Sequence, residues 1–368
     1  MLLLTIAVIL IIIYIIEKIS IENALKGIQY IQKPSISVVE PNEEFDIICI
    51  LQNRTRRFIS FLKLREKYSK EIQLCLNDSI KSLKNSNIIL EEGAIESSCY
   101  LMPKQKLERR IKAYIEKRGR YFLYGATIFG GDFLGINEVP GDYSCIEEIV
   151  VIPAQAKIPD IEIILNGYIG DISINRFIFE DPVLTAGFND YTGQEPQKMI
   201  SWVQSARVGH LMVKKYDYTL EPMLKVVLNT ECMLQNYAEL IEECFSIARS
   251  VCQFLESRNV KYRFITNATI AGAAPVWASS DYGWGREYLM GILEGLGRAL
   301  YTEKESFEKM IEKVLDSAEL GVGHILITPD ITDEYLIKKD KLKERTALDV
   351  CVLTPSQREE ENVFDFFN

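Results

Sequence analysis

Leu224-Lys225-Val226-Val227-Leu228 is a short, mostly apolar run set between polar segments, and it governs how the C-terminal part of the chain is read. A run of this length and character suits a strand buried on both faces of a parallel sheet. Downstream, Tyr237, Leu240, Ile241, Cys244, Ala248, Val251, Cys252 and Leu255 recur at helical spacing and form one apolar stripe. A second strand is predicted at Tyr262 to Thr266, then a helix carrying Leu289, Ile292, Leu293, Leu296 and Leu300. Thr302 and Glu305 have the spacing of a capping box for a further helix bearing Phe307, Met310, Ile311, Val314 and Leu315. Strand His324 to Thr328, a helix from Thr332 and strand Leu348 to Leu353 complete the series. Alternating strands and helices imply a parallel sheet covered on both faces, here an α/β domain over residues 223–355.

Upstream the period changes to two. Ile36-Ser37-Val38-Val39, Phe45-Asp46-Ile47-Ile48-Cys49-Ile50 and Phe58-Ile59-Ser60-Phe61-Leu62-Lys63-Leu64 are separated by polar turns, and further short runs follow at 97–103, 109–116 and 120–128. Short strands at regular spacing predict an antiparallel sandwich over residues 30–153. Residues 154–222 join the two domains, and residues 356–368 form an acidic tail. That tail combines Arg358-Glu359-Glu360-Glu361, expected to be solvated, with Val363-Phe364-Asp365-Phe366-Phe367, which is apolar enough to dock.

Met1 to Ile16 contains no charged residue. Sixteen helical residues span roughly 24 Å against a hydrocarbon core of about 30 Å, so the helix would need to run on past Glu17 and Lys18. No basic segment precedes this run and no small-residue cleavage site follows it, which argues for a retained anchor over residues 1–20 rather than a signal peptide. Lys18, Lys26, Lys33, Arg54, Arg56 and Arg57 all follow the run. Positive-inside reasoning then predicts a single-pass cell-membrane protein with its large C-terminal part in the cytoplasm.

Over 368 residues the formal net charge is −10. This argues against nucleic-acid binding, which draws on clustered Lys and Arg. Arg109, Arg110, Arg118 and Arg120 are expected on a solvated strand edge. The eight cysteines include no CxxC pair, so neither a zinc knuckle nor a compact disulfide framework is signalled. Unclustered cysteines fit a reducing compartment. Two histidines, His210 and His324, leave little material for imidazole chemistry.

Between the two halves lie Tyr191, Gly193, Ile200-x-Trp202, Ser205-Ala206-Arg207, Gly209, Leu211-x-Val213 and Tyr216. Arg118-Gly119-Arg120-Tyr121, Asp132-Phe133-Leu134-Gly135, Val151-x-Pro153 and Asp181-Pro182 precede them. Together these residues resemble the signature of bacterial proteins grouped as domain of unknown function 58, over almost the whole chain. Three departures stand out: Asn189-Asp190 before Tyr191 in place of an arginine, Gln194 after Gly193 in place of an aspartate, and one apolar N-terminal segment rather than two.

The resemblance implies a membrane-anchored protein whose C-terminal half has a von Willebrand A-like, Rossmann-type fold. Such a fold holds a divalent cation at its strand ends with Asp-x-Ser-x-Ser, because hard oxygen ligands suit magnesium. The matching stretch here is Asn229-Thr230-Glu231-Cys232-Met233, with Asp330 as a later acidic position. An amide replaces the leading carboxylate, and Glu and Met replace the serines. The expectation is a degenerate site without a metal or other cofactor.

In the signature, Trp202 and Tyr191 are large enough to anchor a core or an interface, and Arg207 offers a partner for a carboxylate. Tyr191, Gly193, Trp202, Ser205, Ala206 and Arg207 are expected to organise the junction between the domains. Ser205 has no catalytic base nearby other than His210, so a serine nucleophile is not expected. The resemblance implies a non-enzymatic scaffold working with a MoxR-type AAA+ ATPase in a chaperone-like or envelope-assembly system. The alternatives are a carboxylate-based hydrolase using Asp281, Glu231 or Asp330, and an outward-facing, cation-dependent adhesion module.

Overall fold

The computed structural model describes residues 14–15, 17–19, 21–75, 88–131, 137–156, 161–176, 185–193, 195–216, 223–234, 236–272 and 282–355. The chain divides into two compact units, Met1–Ala154 and Gln155–Asn368.

The first unit is built from β1 (Ile28–Pro34), β2 (Val38–Val39), β3 (Phe45–Asn53), β4 (Ile59–Tyr68), β5 (Gln73–Leu74), β6 (Ile88–Glu91), β7 (Ala94–Leu101), β8 (Lys106–Tyr114), β9 (Gly119–Gly131) and β10 (Glu138–Val151). They form a four-stranded sheet of order β1-β3-β8-β5 and a six-stranded sheet of order β2-β10-β9-β4-β7-β6. Strand β3 alternates strictly, burying Phe45, Ile47, Cys49, Leu51 and Asn53. The same alternation on the facing sheet supplies Leu62, Leu64, Leu123, Ile128, Ile149 and Val151 to one shared core, which makes the unit a two-sheet sandwich.

That core contains charge. Glu66 on β4 pairs with Arg109 on β8, across the gap between the sheets. Tyr30 OH donates to Glu66 Oε1 at 2.7 Å, and Arg109 Nη1 donates to Ser97 Oγ at 2.9 Å. Arg109 is therefore an interior residue rather than part of a solvated edge. It lies on the inward phase of β8 with Ile111 and Ala113.

The second unit begins with helix α1 (Ile161–Arg176). A ribbon of β11 (Thr185–Asp190) and β12 (Met212–Tyr216) follows, enclosing helix α2 (Trp202–Val208). Then come β13 (Met223–Leu228), α3 (Tyr237–Ser257), β14 (Lys261–Thr266), β15 (Ala268–Ile270), α4 (Arg286–Arg298), β16 (Ala299–Glu303), α5 (Phe307–Asp316), β17 (Gly323–Ile327), α6 (Asp333–Thr346) and β18 (Val350–Leu353). Four strands, in the order β14-β13-β17-β18, are all parallel. Leu224, Val226 and Leu228 face one layer with α1, α3 and α4. Val227 faces the other, with Phe307, Met310 and Ile311 of α5 and Leu342 of α6. Gly323 permits the close approach of α1, since a Cβ there would meet Ile172 Cδ1 at 2.4 Å and Leu224 Cδ2 at 2.5 Å.

The expected fold class is corrected on two points. A von Willebrand A-like, Rossmann-type domain is not what the second unit contains among the described residues. Its parallel sheet has four strands, and the chain between β14 and β17 makes a separate antiparallel ribbon, β15 with β16, instead of extending that sheet. Leu300 and Thr302 lie in β16 for this reason, rather than in a helix or its cap. The molecule is a β-rich sandwich followed by a small parallel α/β sheet and two ribbons.

The second correction concerns the membrane. Most of Met1–Ile16 lies outside the described residues, and no helix among the described residues is long and apolar enough to cross a bilayer. The single-pass anchor over 1–20, and the cell-membrane localisation and orientation built on it, are without support in the structure.

Candidate functional site

Open parallel sheets collect ligands outside the carboxyl ends of their strands, where the direction of chain travel reverses. Here that point lies beyond β13, flanked by β14 and β17, and three of the expected residues fall there: Asn229, Glu231 and Asp330. Their polar groups are engaged with the protein itself. Asn229 Nδ2 donates to Thr328 Oγ1 at 3.1 Å, and Asn229 Oδ1 accepts from Glu231 N at 3.0 Å and Asn267 Nδ2 at 2.8 Å. Asn267 Oδ1 accepts in turn from Thr230 N at 2.8 Å and Thr230 Oγ1 at 3.1 Å. Asn229, Thr230, Asn267 and Thr328 are all buried. Such a network rigidifies its surroundings only because each member is satisfied.

The two carboxylates are also committed. Glu231 Oε2 accepts from Phe307 N at 2.5 Å, at the first residue of α5, so its charge sits on the positive end of that helix. Asp330 Oδ1 accepts from Ile331 N at 2.8 Å, while its carbonyl accepts from Thr328 Oγ1 at 2.7 Å. Tyr335 packs on Phe307 with ring centroids 4.1 Å apart. Burial pushes its phenol up to about 12, so it remains neutral. No group of three or more His, Cys, Asp or Glu is arranged to hold a metal ion among the described residues. Asp281 lies outside them.

Beside this network three apolar or aromatic side chains reach solvent. Met233 is 87% exposed in the loop leaving β13, and Leu234 and Tyr237 beside it are exposed as well. Beneath α5 and α6, a cavity lined by Val227, Phe307, His324, Leu326 and Tyr335 measures about 10 Å³, room for one water at most. His324 is 1% exposed; its Nδ1 lies 3.1 Å from Val322 O, to which it donates as the neutral ring. Burial, reinforced by Lys225, holds its pKa down to about 4. Lys225 reaches from β13 to Ser317 O at the C-terminal end of α5, a favourable place for a cation.

The signature residues occupy a different place, the β11–β12 ribbon. Ser205 is buried; its Oγ donates to Ser201 O at 2.8 Å and accepts from Met212 N at 2.8 Å. Ser201 N donates to Met212 O at 2.8 Å, so the two serines staple α2 onto β12. Gly209 ends the helix in the left-handed region at φ 84°, as helix C-termini favour. Gly193 also has positive φ, at 91°. Tyr191 is half-buried, its N donating to Leu211 O at 2.8 Å. Trp202, Ala206 and Arg207 are exposed, Trp202 at 68%. His210 Nε2 lies 2.8 Å from Asp190 Oδ1. With Ser205 Oγ used structurally and His210 beside Asp190, these two residues do not form a nucleophile–base pair. Asp132–Gly135 and Asp181-Pro182 lie outside the described residues.

Sequence reasoning missed Asn267, Thr328 and Tyr335. A signal existed for two of them: Asn267 and Thr328, like Asn229, are polar residues directly at the end of an apolar strand run.

No known family profile matches the chain, and no curated protein matches it. Among solved structures, the sixth cohesin of Acetivibrio cellulolyticus scaffoldin B, determined in complex with a dockerin, aligns at 11% identity and a TM-score of 0.26, over 33% of this chain and 98% of that one. A non-cellulosomal cohesin from Archaeoglobus fulgidus aligns at 12% identity and 0.26, over 34% and 91%. The CARDB domain of a Pyrococcus furiosus protein aligns at 13% identity and 0.23, over 34% and 90%. Likeness at this level assigns the chain neither a family nor a ligand.

Proposed function

We propose that the chain is a protein-interaction module without catalytic chemistry of its own, and that its second unit binds a protein partner at the carboxyl ends of β13 and β17. One observation carries this reading. The polar groups at the ends of these strands bond to one another and to the start of α5, while the loop immediately outside them and the first residue of α3 present Met233, Leu234 and Tyr237 to solvent. A group of exposed apolar and aromatic side chains suits a protein contact better than a small molecule. Met is adaptable in such contacts and Tyr serves as an anchor.

Membership of the domain of unknown function 58 group, and with it a MoxR-type AAA+ ATPase as the partner, belongs to the same proposal. It is supported by the signature from Tyr191 to Tyr216. The test is titration of the purified chain against a purified MoxR-type ATPase, followed by interferometry. Saturable binding weakened at least tenfold by Met233→Lys supports both the surface and the partner. Binding unchanged by that substitution removes the surface, and the absence of binding removes the ATPase.

A further inference from the structure

Asn53 ends β3 with its side chain buried, and its amide spends its hydrogen bonds on two loops of the sandwich. Asn53 Oδ1 accepts from Thr55 N at 2.9 Å and Thr55 Oγ1 at 2.7 Å, while Nδ2 donates to Arg57 O at 2.8 Å and Met102 O at 3.1 Å. Lys104 N donates to Thr55 O at 3.0 Å, and Arg54 N to Gly27 O at 2.8 Å. The β3–β4 turn, the β7–β8 turn and the chain entering β1 are therefore fixed together at one end of the sandwich.

Residues 24–28, 53–58 and 101–106 make up these connections, and they contain Lys26, Arg54, Arg56, Arg57, Lys104 and Lys106 but neither Asp nor Glu. All six cations are exposed. Lys106 pairs with Glu108 at 3.4 Å; the other five make no ion pair among the described residues. Glu138, at the same end, begins β10, two strands away from β4 in the sheet. On a chain whose formal net charge is −10, this is a local reversal of sign. Apolar side chains stand beside it. Ile59 faces Leu101 across β4 and β7, and next to that pair Phe58, Tyr100 and Met102 are 50%, 50% and 52% exposed. The rings of Phe58 and Tyr100 lie with centroids 6.2 Å apart.

We propose that this end of the sandwich docks an acidic segment of a partner protein, with carboxylates on Arg54, Arg56, Arg57 and Lys104 and an apolar side chain against Phe58, Tyr100 and Met102. A cluster of cations with no carboxylate among them calls for an anionic occupant. Arginine holds a carboxylate through two parallel N–H bonds, and Arg, Phe, Tyr and Met are side chains enriched in protein contacts. Because Asn53 sets the loop backbone beforehand, little ordering of the loops opposes binding. The surface uses none of the residues at the ends of β13 and β17, so either contact can fail without the other.

The test is fluorescence anisotropy of a short labelled peptide, glutamates flanking a pair of leucines, titrated with the full chain. Saturable binding is expected, weakening as salt is raised and lost when glutamine replaces every glutamate of the peptide. The triple change Arg54→Glu, Arg56→Glu, Arg57→Glu weakens it at least tenfold, and Phe58→Ser severalfold. The same charge change at Lys67, Lys70 and Lys117, exposed at the opposite end of the strands, leaves it within twofold. All these positions are exposed, and unchanged thermal unfolding of each variant confirms that folding is intact. No binding, equal binding of the glutamine peptide, or equal loss from both triple changes overturns the proposal. So does adsorption to phosphatidylserine vesicles through the same arginines by a chain that ignores the peptide, which would make a bilayer the occupant.

Discussion

Asn267 at the end of β14 donates through Nδ2 to Asn229 Oδ1 at the end of β13, 2.8 Å away. Two amides therefore meet where a cation-binding site of the expected kind would place carboxylate against metal. The pair needs no ion for charge balance, and both residues are buried. Removing either leaves its partners unsatisfied. Asn229→Ala and Asn267→Ala are each expected to cost about 1–3 kcal/mol. The double variant should cost less than the sum, because the residues share one network. Urea unfolding of the four proteins measures this directly.

Glu231 caps α5 from far away in sequence, through Phe307 N. Glu231→Ala is expected to lower stability by about 0.5–2 kcal/mol, the usual range for a lost helix cap. The α5 amides at its first turn should lose protection in hydrogen exchange while those of α3 do not.

Glu66 and Arg109 form an ion pair inside the sandwich. Removing one partner strands a buried charge, so Glu66→Leu or Arg109→Met alone is expected to cost about 3–5 kcal/mol. Replacing both with apolar residues should recover most of that loss, since neither charge then remains to be desolvated. Thermal unfolding of the single and double variants distinguishes this from a simple packing defect, in which the losses add.

His324 gives stability a pH dependence of known sign. Its folded pKa is depressed to about 4 from 6.5, so between these values the unfolded chain binds the proton and the folded chain does not. Its contribution is fully present above pH 6.5 and is lost as the pH falls towards 4, by about 3 kcal/mol over the window. His324→Leu should flatten that part of the profile of urea midpoint against pH.

Local periodicity made much of the secondary structure legible. Alternation marked β3, and the run at 224–228 and the stripe from Tyr237 to Leu255 marked β13 and α3. Non-local relationships were hidden. Nothing in Leu300 or Thr302 reveals that β16 pairs with β15, nor does a capping-box spacing compete with a carboxylate delivered from Glu231. Arg109 was misread from composition although the alternation of β8 places it inward with Ile111 and Ala113. At the strand ends, the substitution of Asn229 for a carboxylate was plain in the sequence. Its partners Asn267 on the one hand, Thr328 and Tyr335 on the other, come from two stretches far away in sequence, which only folding assembles.

The proposed function places a protein contact outside the ends of β13 and β17. In-cell photo-crosslinking from position 233 tests it most directly, with Leu320, also exposed and located before β17 at the opposite end of the strands, as the control position. A discrete protein adduct is expected from position 233, absent from position 320 and abolished by Tyr237→Lys. No adduct from position 233 above the position 320 control would contradict it.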